Sequence, residues 1–356
     1  MNLQGIDHIE LYVGDARQAA FYYCTAFGFQ VHAQGGPETG LKGQRSLLVG
    51  QGDIRMVLTS ALGPDHPAAE FVSKHGDGVA VIAIEVDDAT SAYERFVERG
   101  ATPVSSPARY ALGDASVTTA EVGGFGDVVH RLVQRDGPRA EFLPGVFTMS
   151  EVDPAVEGRL LGTIDHFAVC VPSNTLEATV KYYHDVFGFE EIFEEYIQVG
   201  EQAMFSKVVQ STSKLVTLTM LEPDPTRQAG QIDDFLRWHG GAGVQHVAFT
   251  ADDIVGTVRA LGERGVHFAK TPATYYAALH QRMSDLVVPV SDLQDVGVLV
   301  DRDHWGHLLQ IFTESMHVRR TLFLEVIERR GALTFGSGNI KALYEAKNRE
   351  LTGVAR

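Results

Sequence analysis

The chain has 356 residues, 44% hydrophobic and 21% charged, with 30 Lys+Arg against 46 Asp+Glu and a formal charge of −16. That length exceeds what one core usually holds, so two domains are expected; no apolar run is long enough to span a bilayer, and the negative charge repels nucleic-acid backbones. Met1 to Asp7 carry neither the basic region nor the apolar stretch of an export signal, and Cys24 and Cys170 sit inside apolar patterns, which together predict a cytoplasmic setting and a small-molecule partner.

In chain order, residues 5–13 (GIDHIELYV) alternate as a strand, and FYYCTAFGF (21–29) ends a helix. VAVIAIEV (79–86) is a second strand, a second helix ends at Glu98-Arg99-Gly100, and VVHRLVQRDG (128–137) closes the half. The stretch from about 138 to 160, with Pro144, Pro154 and Gly158, reads as a linker. The order then repeats. GTIDHFAVCV (162–171) matches residues 5–13, so Asp165-His166 falls on Asp7-His8; KYYHDVFGF (181–189) matches 21–29, and VQHVAFT (244–250) matches 79–86. Glu263-Arg264-Gly265 falls on Glu98-Arg99-Gly100, Pro272 and Tyr275 on Pro107 and Tyr110, and FLEVIERRG (323–331) on VVHRLVQRDG.

Each unit reads as βαβββ, four times over. The expected class is α+β: two domains, 1–150 and 151–356, each of paired βαβββ modules forming curved, barrel-like mixed sheets. A C-terminal helix follows Gly336 and runs to Lys347, placed to act as a lid.

The halves differ where it matters chemically. His246 stands where the first half has Val81, and Glu325 where it has Arg131, while His166 keeps its counterpart His8. Two imidazoles and one carboxylate on facing strands make a metal site in the second half alone, leaving the first half structural. Such a set with an open face suits non-haem Fe(II), and zinc accepts the same donors. His166 and His246, and again His246 and Glu325, lie about 80 residues apart in sequence, so no local motif marks them, and each taken singly also fits a strand residue in a core.

The strings TIDHFAV, GAGVQHVAF, LLQIFT, FLEVIERRG and TFGSGNIKALYEA, in that order, carry a resemblance to the 4-hydroxyphenylpyruvate dioxygenase family of the vicinal-oxygen-chelate superfamily, over essentially the whole chain. The resemblance implies one Fe(II) per chain on His166, His246 and Glu325, with 4-hydroxyphenylpyruvate and O2 as partners and a homodimer as the assembly considered. It places Gln245 and Gln310 at the reacting centre and Ser206, Gln231, Phe312 and Phe335 in the substrate shell, although each also reads as strand-edge or core. Family members that form homogentisate typically have Pro-Ile-Asn-Glu-Pro where this chain has Thr219-Met220-Leu221-Glu222-Pro223, and a Phe at Ile340. Thr219, Leu221 and Ile340 instead resemble the branch that hydroxylates the benzylic carbon to give 4-hydroxymandelate. Homogentisate formation stays as the alternative, and a non-catalytic binding module as the alternative of another class.

Overall fold

The computed structural model describes residues 3–137, 141–150, 159–283, 286 and 288–341. The first half runs β1 (Leu3–Tyr12), α1 (Ala16–Phe27), β2 (Gln30–Gly35), β3 (Gln44–Gln51), β4 (Ile54–Ala61), α2 (Pro67–His75), β5 (Gly78–Val86), α3 (Ala89–Glu98), β6 (Pro103–Leu112), β7 (Ala115–Gly123), β8 (Val129–Asp136) and the short β9 (Thr148–Met149). The second half runs β10 (Ile164–Cys170), α4 (Leu176–Tyr182), β11 (Glu190–Val199), β12 (Gln202–Gln210), β13 (Thr217–Pro223), α5 (Gln231–His239), β14 (Gly243–Thr250), α6 (Ile254–Glu263), α7 (Ala273–Arg282), α8 (Val290–Val296), β15 (Leu299–Arg302), β16 (His307–Phe312) and β17 (Phe323–Arg330).

The Phe-Gly-Phe strings are helix stops. Gly28 takes the left-handed conformation (φ 78°), and the backbone N–H groups of Gly28 and Phe29 donate to the carbonyls of Cys24 and Tyr23, closing α1. Gly188 does the same (φ 72°) after a π-type turn at Tyr183–Phe187. At the other end Asp15 caps α1, accepting from the backbone N–H groups of Arg17 and Gln18.

The strands form two mixed sheets, β6-β7-β8-β5-β1-β4-β3-β2-β9 and β11-β12-β13-β10-β14-β17-β16-β15. In each, the two modules meet at a central antiparallel pair, β1 with β5 and β10 with β14, flanked by parallel pairs. The two-residue alternation of a strand then sorts the side chains. Ile9, Leu11, Phe167, Val169, Val247, Phe249, Leu324 and Val326 all enter one apolar core that both halves share with their helices. The alternate residues, His166 and Ala168 on β10, His246 and Ala248 on β14, Phe323 and Glu325 on β17, face the inside of the curled second sheet.

Cross-strand register bears out the internal repeat. Ala168 pairs with His246 as Glu10 pairs with Val81, and Ala248 pairs with Glu325 as Ala83 pairs with Arg131. The halves depart in the fourth module. Pro272 and Tyr275, matched in sequence to residues of β6, open the helix α7 instead. Tyr275, Tyr276 and Leu279 are buried at helical spacing there, and Pro272 supplies a start that needs no N–H.

The expected linker is also partly packed. Phe142 and Phe147 are buried against Leu48 and Val57, and β9 pairs with β2, while residues 138–140 and 151–158 lie outside the described residues. Residues 337–341 begin the expected C-terminal helix; its continuation from 342, on which the lid expectation rests, lies outside the described residues. Cys24 and Cys170 are both free thiols. Among the described residues no helix is long and apolar enough to cross a membrane.

Candidate metal centre and cavity

His166, His246 and Glu325 come together on the inner face of the second sheet, their ligand atoms within 4.8 Å of one another. Glu325 Oε2 lies 3.3 Å from His166 Nε2 and 3.2 Å from His246 Nε2. Both rings are aimed by their other nitrogen. His166 Nδ1 is 2.7 Å from Asp165 Oδ1, and Arg329 grips that carboxylate with two N–H groups at 2.7 and 2.8 Å. His246 Nδ1 lies 3.3 Å from Gln245 Oε1 and its ring stacks on Phe323. A ring whose Nδ1–H is held this way presents Nε2 inward, as metal-bound histidines do.

The electrostatics ask for a cation. Glu325 is 1% exposed, and its Oε1 has no hydrogen-bond partner among the described residues. A buried carboxylate oxygen that no donor meets is costly unless a positive charge lies against it. Burial pushes its carboxyl up, but His166 and His246 outweigh that and hold it below the ordinary range. His166 is the counterpart: burial disfavours its charged form, yet Glu325 and Asp165 prevail and raise it to about 9. His246 is lowered, by burial first and then by the charge on His166. The metal-free cluster therefore carries a proton on His166 near neutral pH, where a divalent cation would satisfy the same atoms.

A pH dependence follows from the direction of that shift. Because the folded-state value lies above the ordinary 6.5, the proton's contribution to stability is full below about pH 6.5 and is lost as pH rises through about 9. The metal-free protein should melt lower above pH 9 than at pH 6.5. Metal uptake at pH 7 to 8 should release about one proton, and affinity should rise with pH up to about 9. Titration calorimetry with Zn(II) in buffers of different ionisation enthalpy checks this; an enthalpy independent of buffer would contradict it.

Beside the cluster lies a largely apolar cavity of about 480 Å3, bordered by His246, Gln245, Gln231, Leu221, Phe312 and Ile340 among others. Five of the residues predicted from sequence thus share one wall with a metal-cluster histidine. Ser206, Thr219, Gln310 and Phe335 do not border it. Ser206 and Thr219 are buried further along the inner face, and Thr219 Oγ1 has no hydrogen-bond partner among the described residues. Phe335 sets its ring edge-to-face on His166, centroids 5.2 Å apart, beneath the Arg329 guanidinium.

Gln310 belongs to a buried chain that sequence reasoning missed. Asn339 Nδ2 donates to Gln310 Oε1 at 3.2 Å, and the Tyr275 hydroxyl donates to Asn339 Oδ1 at 2.8 Å while receiving the Val300 N–H. Asn339 is fully buried, so this chain pins the start of the C-terminal helix to the inner sheet. Asn339→Ala should cost about 1–3 kcal/mol by leaving Gln310 and Tyr275 short of a partner. An unchanged denaturation midpoint would contradict that role. Asp165 and Arg329 were also missed as a pair, although Asp7 and Arg135 repeat them in the first half.

Paired βαβββ modules around a two-His, one-carboxylate cluster define a metal-site scaffold, and the comparisons agree with that class. Residues 5–126 and 163–311 match the model of the Glyoxalase/Bleomycin resistance protein/Dioxygenase superfamily. The protein named probable 4-hydroxyphenylpyruvate dioxygenase 2 from Aspergillus fumigatus is 38% identical, over 97% of this chain and 93% of its own length. The 4-hydroxyphenylpyruvate dioxygenase of Yarrowia lipolytica is 34% identical, over 98% and 92%. Among solved structures, a triple mutant of 4-hydroxymandelate synthase from Streptomyces coelicolor superposes with a TM-score of 0.86 at 44% identity, covering 99% of this chain and all of that one. This chain belongs to the 4-hydroxyphenylpyruvate dioxygenase family and is an enzyme of the dioxygenase class.

Proposed function

We propose that the enzyme uses Fe(II) and O2 to convert 4-hydroxyphenylpyruvate to 4-hydroxymandelate and CO2. The observation that carries this reading is the His166/His246/Glu325 cluster beside an apolar cavity whose wall holds His246, Leu221 and Ile340. The 44% identity to a 4-hydroxymandelate synthase, against 38% and 34% to the named dioxygenases, supports the branch.

In this reading His166, His246 and Glu325 hold one Fe(II). That ion supplies the redox chemistry coupling O2 reduction to decarboxylation of a 2-oxo acid. The carboxyl carbon leaves as CO2, one oxygen atom enters the shortened acid and the other the benzylic hydroxyl, so no outside reductant is consumed. Asp165 and Gln245 keep the two imidazoles in the ligating tautomer, and Glu325 offsets the ion's charge. The polar end of the substrate faces the cluster, where Gln245 lies, while Leu221, Phe312 and Ile340 enclose the ring. Gln231, which lines the cavity, is a further polar contact, while Gln310, held through Asn339, and Ser206 and Thr219 lie outside the lining, and Thr219 Oγ1 is a donor without a protein partner among the described residues. Phe335 packs behind His166 and fixes its ring.

We read residues 151–356 as the catalytic half and 1–150 as a half without metal ligands, since Arg131 and Val81 stand where Glu325 and His246 do. Homogentisate formation is the second reading, favoured by the dioxygenase relatives at 38% and 34% identity. Oxygen uptake on adding 4-hydroxyphenylpyruvate to Fe(II)-loaded protein tests the shared part: stoichiometric uptake is expected, and none would contradict it.

A further inference from the structure

The first half repeats the support of His166 around His8 but puts a fixed cation beside that ring. Asp7 holds His8 Nδ1 at 2.6 Å, Arg135 grips Asp7, and Phe142 sets its ring against His8, as Asp165, Arg329 and Phe335 do for His166. At the register position of Glu325, the Arg131 guanidinium lies 3.2 Å from His8 Nε2 and 2.8 Å from both Glu10 and Glu121. Arg131 thus meets His8 Nε2, the counterpart of the His166 Nε2 that faces Glu325.

This inner face has not closed up. A cavity of about 350 Å3 remains, bordered by Glu10, Tyr12, Glu121, Arg131, Phe142 and Phe147. Interiors without a ligand to hold are close-packed, whereas this volume falls in the range of small-molecule sites. Its charge differs from that of a 2-oxo acid site. Two carboxylates, Glu10 and Glu121, face one guanidinium. His66 is spoken for: its Nδ1 accepts the Ala68 N–H and its Nε2 meets Gln44 Oε1. The balance is one net negative charge, which repels a carboxylate ligand and attracts an ammonium group. Phe142 and Phe147, edge-to-face at 5.0 Å, give the apolar wall a ring would pack on.

We infer that the cavity of the first half is a second ligand site, distinct from the metal centre, that takes a small aromatic amine with its ammonium group at Glu10 and Glu121 and its ring against Phe142 and Phe147. Ala108, exposed on the rim, offers a way to block the site without touching the core.

The test is equilibrium binding of tyramine, with 4-hydroxyphenylacetate as the anionic control, to the full-length protein and to two variants. One tyramine per chain should bind; Ala108→Trp should abolish it, and Glu121→Gln should weaken it about tenfold or more, the effect of losing one charge-assisted contact. Both variants should keep the metal affinity of the parent, because neither residue lies in the second half. No tyramine binding, or binding that Ala108→Trp leaves intact, would overturn the site. Ala108→Trp-sensitive binding that ignores Glu121→Gln, or that 4-hydroxyphenylacetate matches, would overturn the ligand class.

Discussion

Glu325→Ala should strip the enzyme of both metal and turnover. Outer contacts to metal ligands are each worth about 10–100-fold in affinity, so loss of the carboxylate ligand itself should exceed about 100-fold. Glu325 is the cluster's only carboxylate and is buried between two imidazoles, so no neighbouring acid on the described inner face replaces it. The metal-free variant carries a second signature. Without Glu325 the largest influence raising His166 is gone, so burial should pull its titration down from about 9, which NMR of the imidazole reads. Metal content and activity equal to the parent's would remove these three residues from the mechanism.

Leu221→Asn combined with Ile340→Phe should move flux towards the aromatic ring. Leu221 and Ile340 sit in one apolar cluster with Met204, Ile232 and Phe235 beside the metal centre, so together they shape where a ring rests. An amide at 221 adds a hydrogen-bonding handle, and a phenyl at 340 fills volume that Ile leaves open. A change of about 1.4 kcal/mol between the barriers for side-chain and ring attack alters the product ratio about tenfold. Chromatography should show a ring-hydroxylated product in the double variant, at a level neither single variant reaches. Its complete absence from active, folded double variant would detach product choice from these two positions. Both substitutions strain an apolar cluster, so the melting temperature of each variant belongs beside the product ratio.

The convergence of His166, His246 and Glu325 was legible because the chain contains its own control. Wherever His246 and Glu325 depart from Val81 and Arg131, the scaffold is otherwise repeated, and the strand register places both pairs at equivalent points. Strand alternation likewise foretold which residues face inward. The same repeat misled at Tyr275: a match to Tyr110 implied a strand, while the burial of Tyr275, Tyr276 and Leu279 at helical spacing is satisfied only by α7. Asn339 was invisible for a different reason. Its partners are 29 and 64 residues away, and a buried side-chain network leaves no period in the sequence. Asp165 and Arg329 recur as Asp7 and Arg135 in the repeat, but only the structure shows that the two residues touch. That the Arg131 guanidinium reaches His8 Nε2 likewise shows only in the structure.

The most direct measurement is a single turnover: protein loaded with Fe(II) without oxygen, then given 4-hydroxyphenylpyruvate and O2, with the products separated and identified. 4-Hydroxymandelate and CO2 in equal amounts are expected, and homogentisate in place of 4-hydroxymandelate would contradict the proposed reaction.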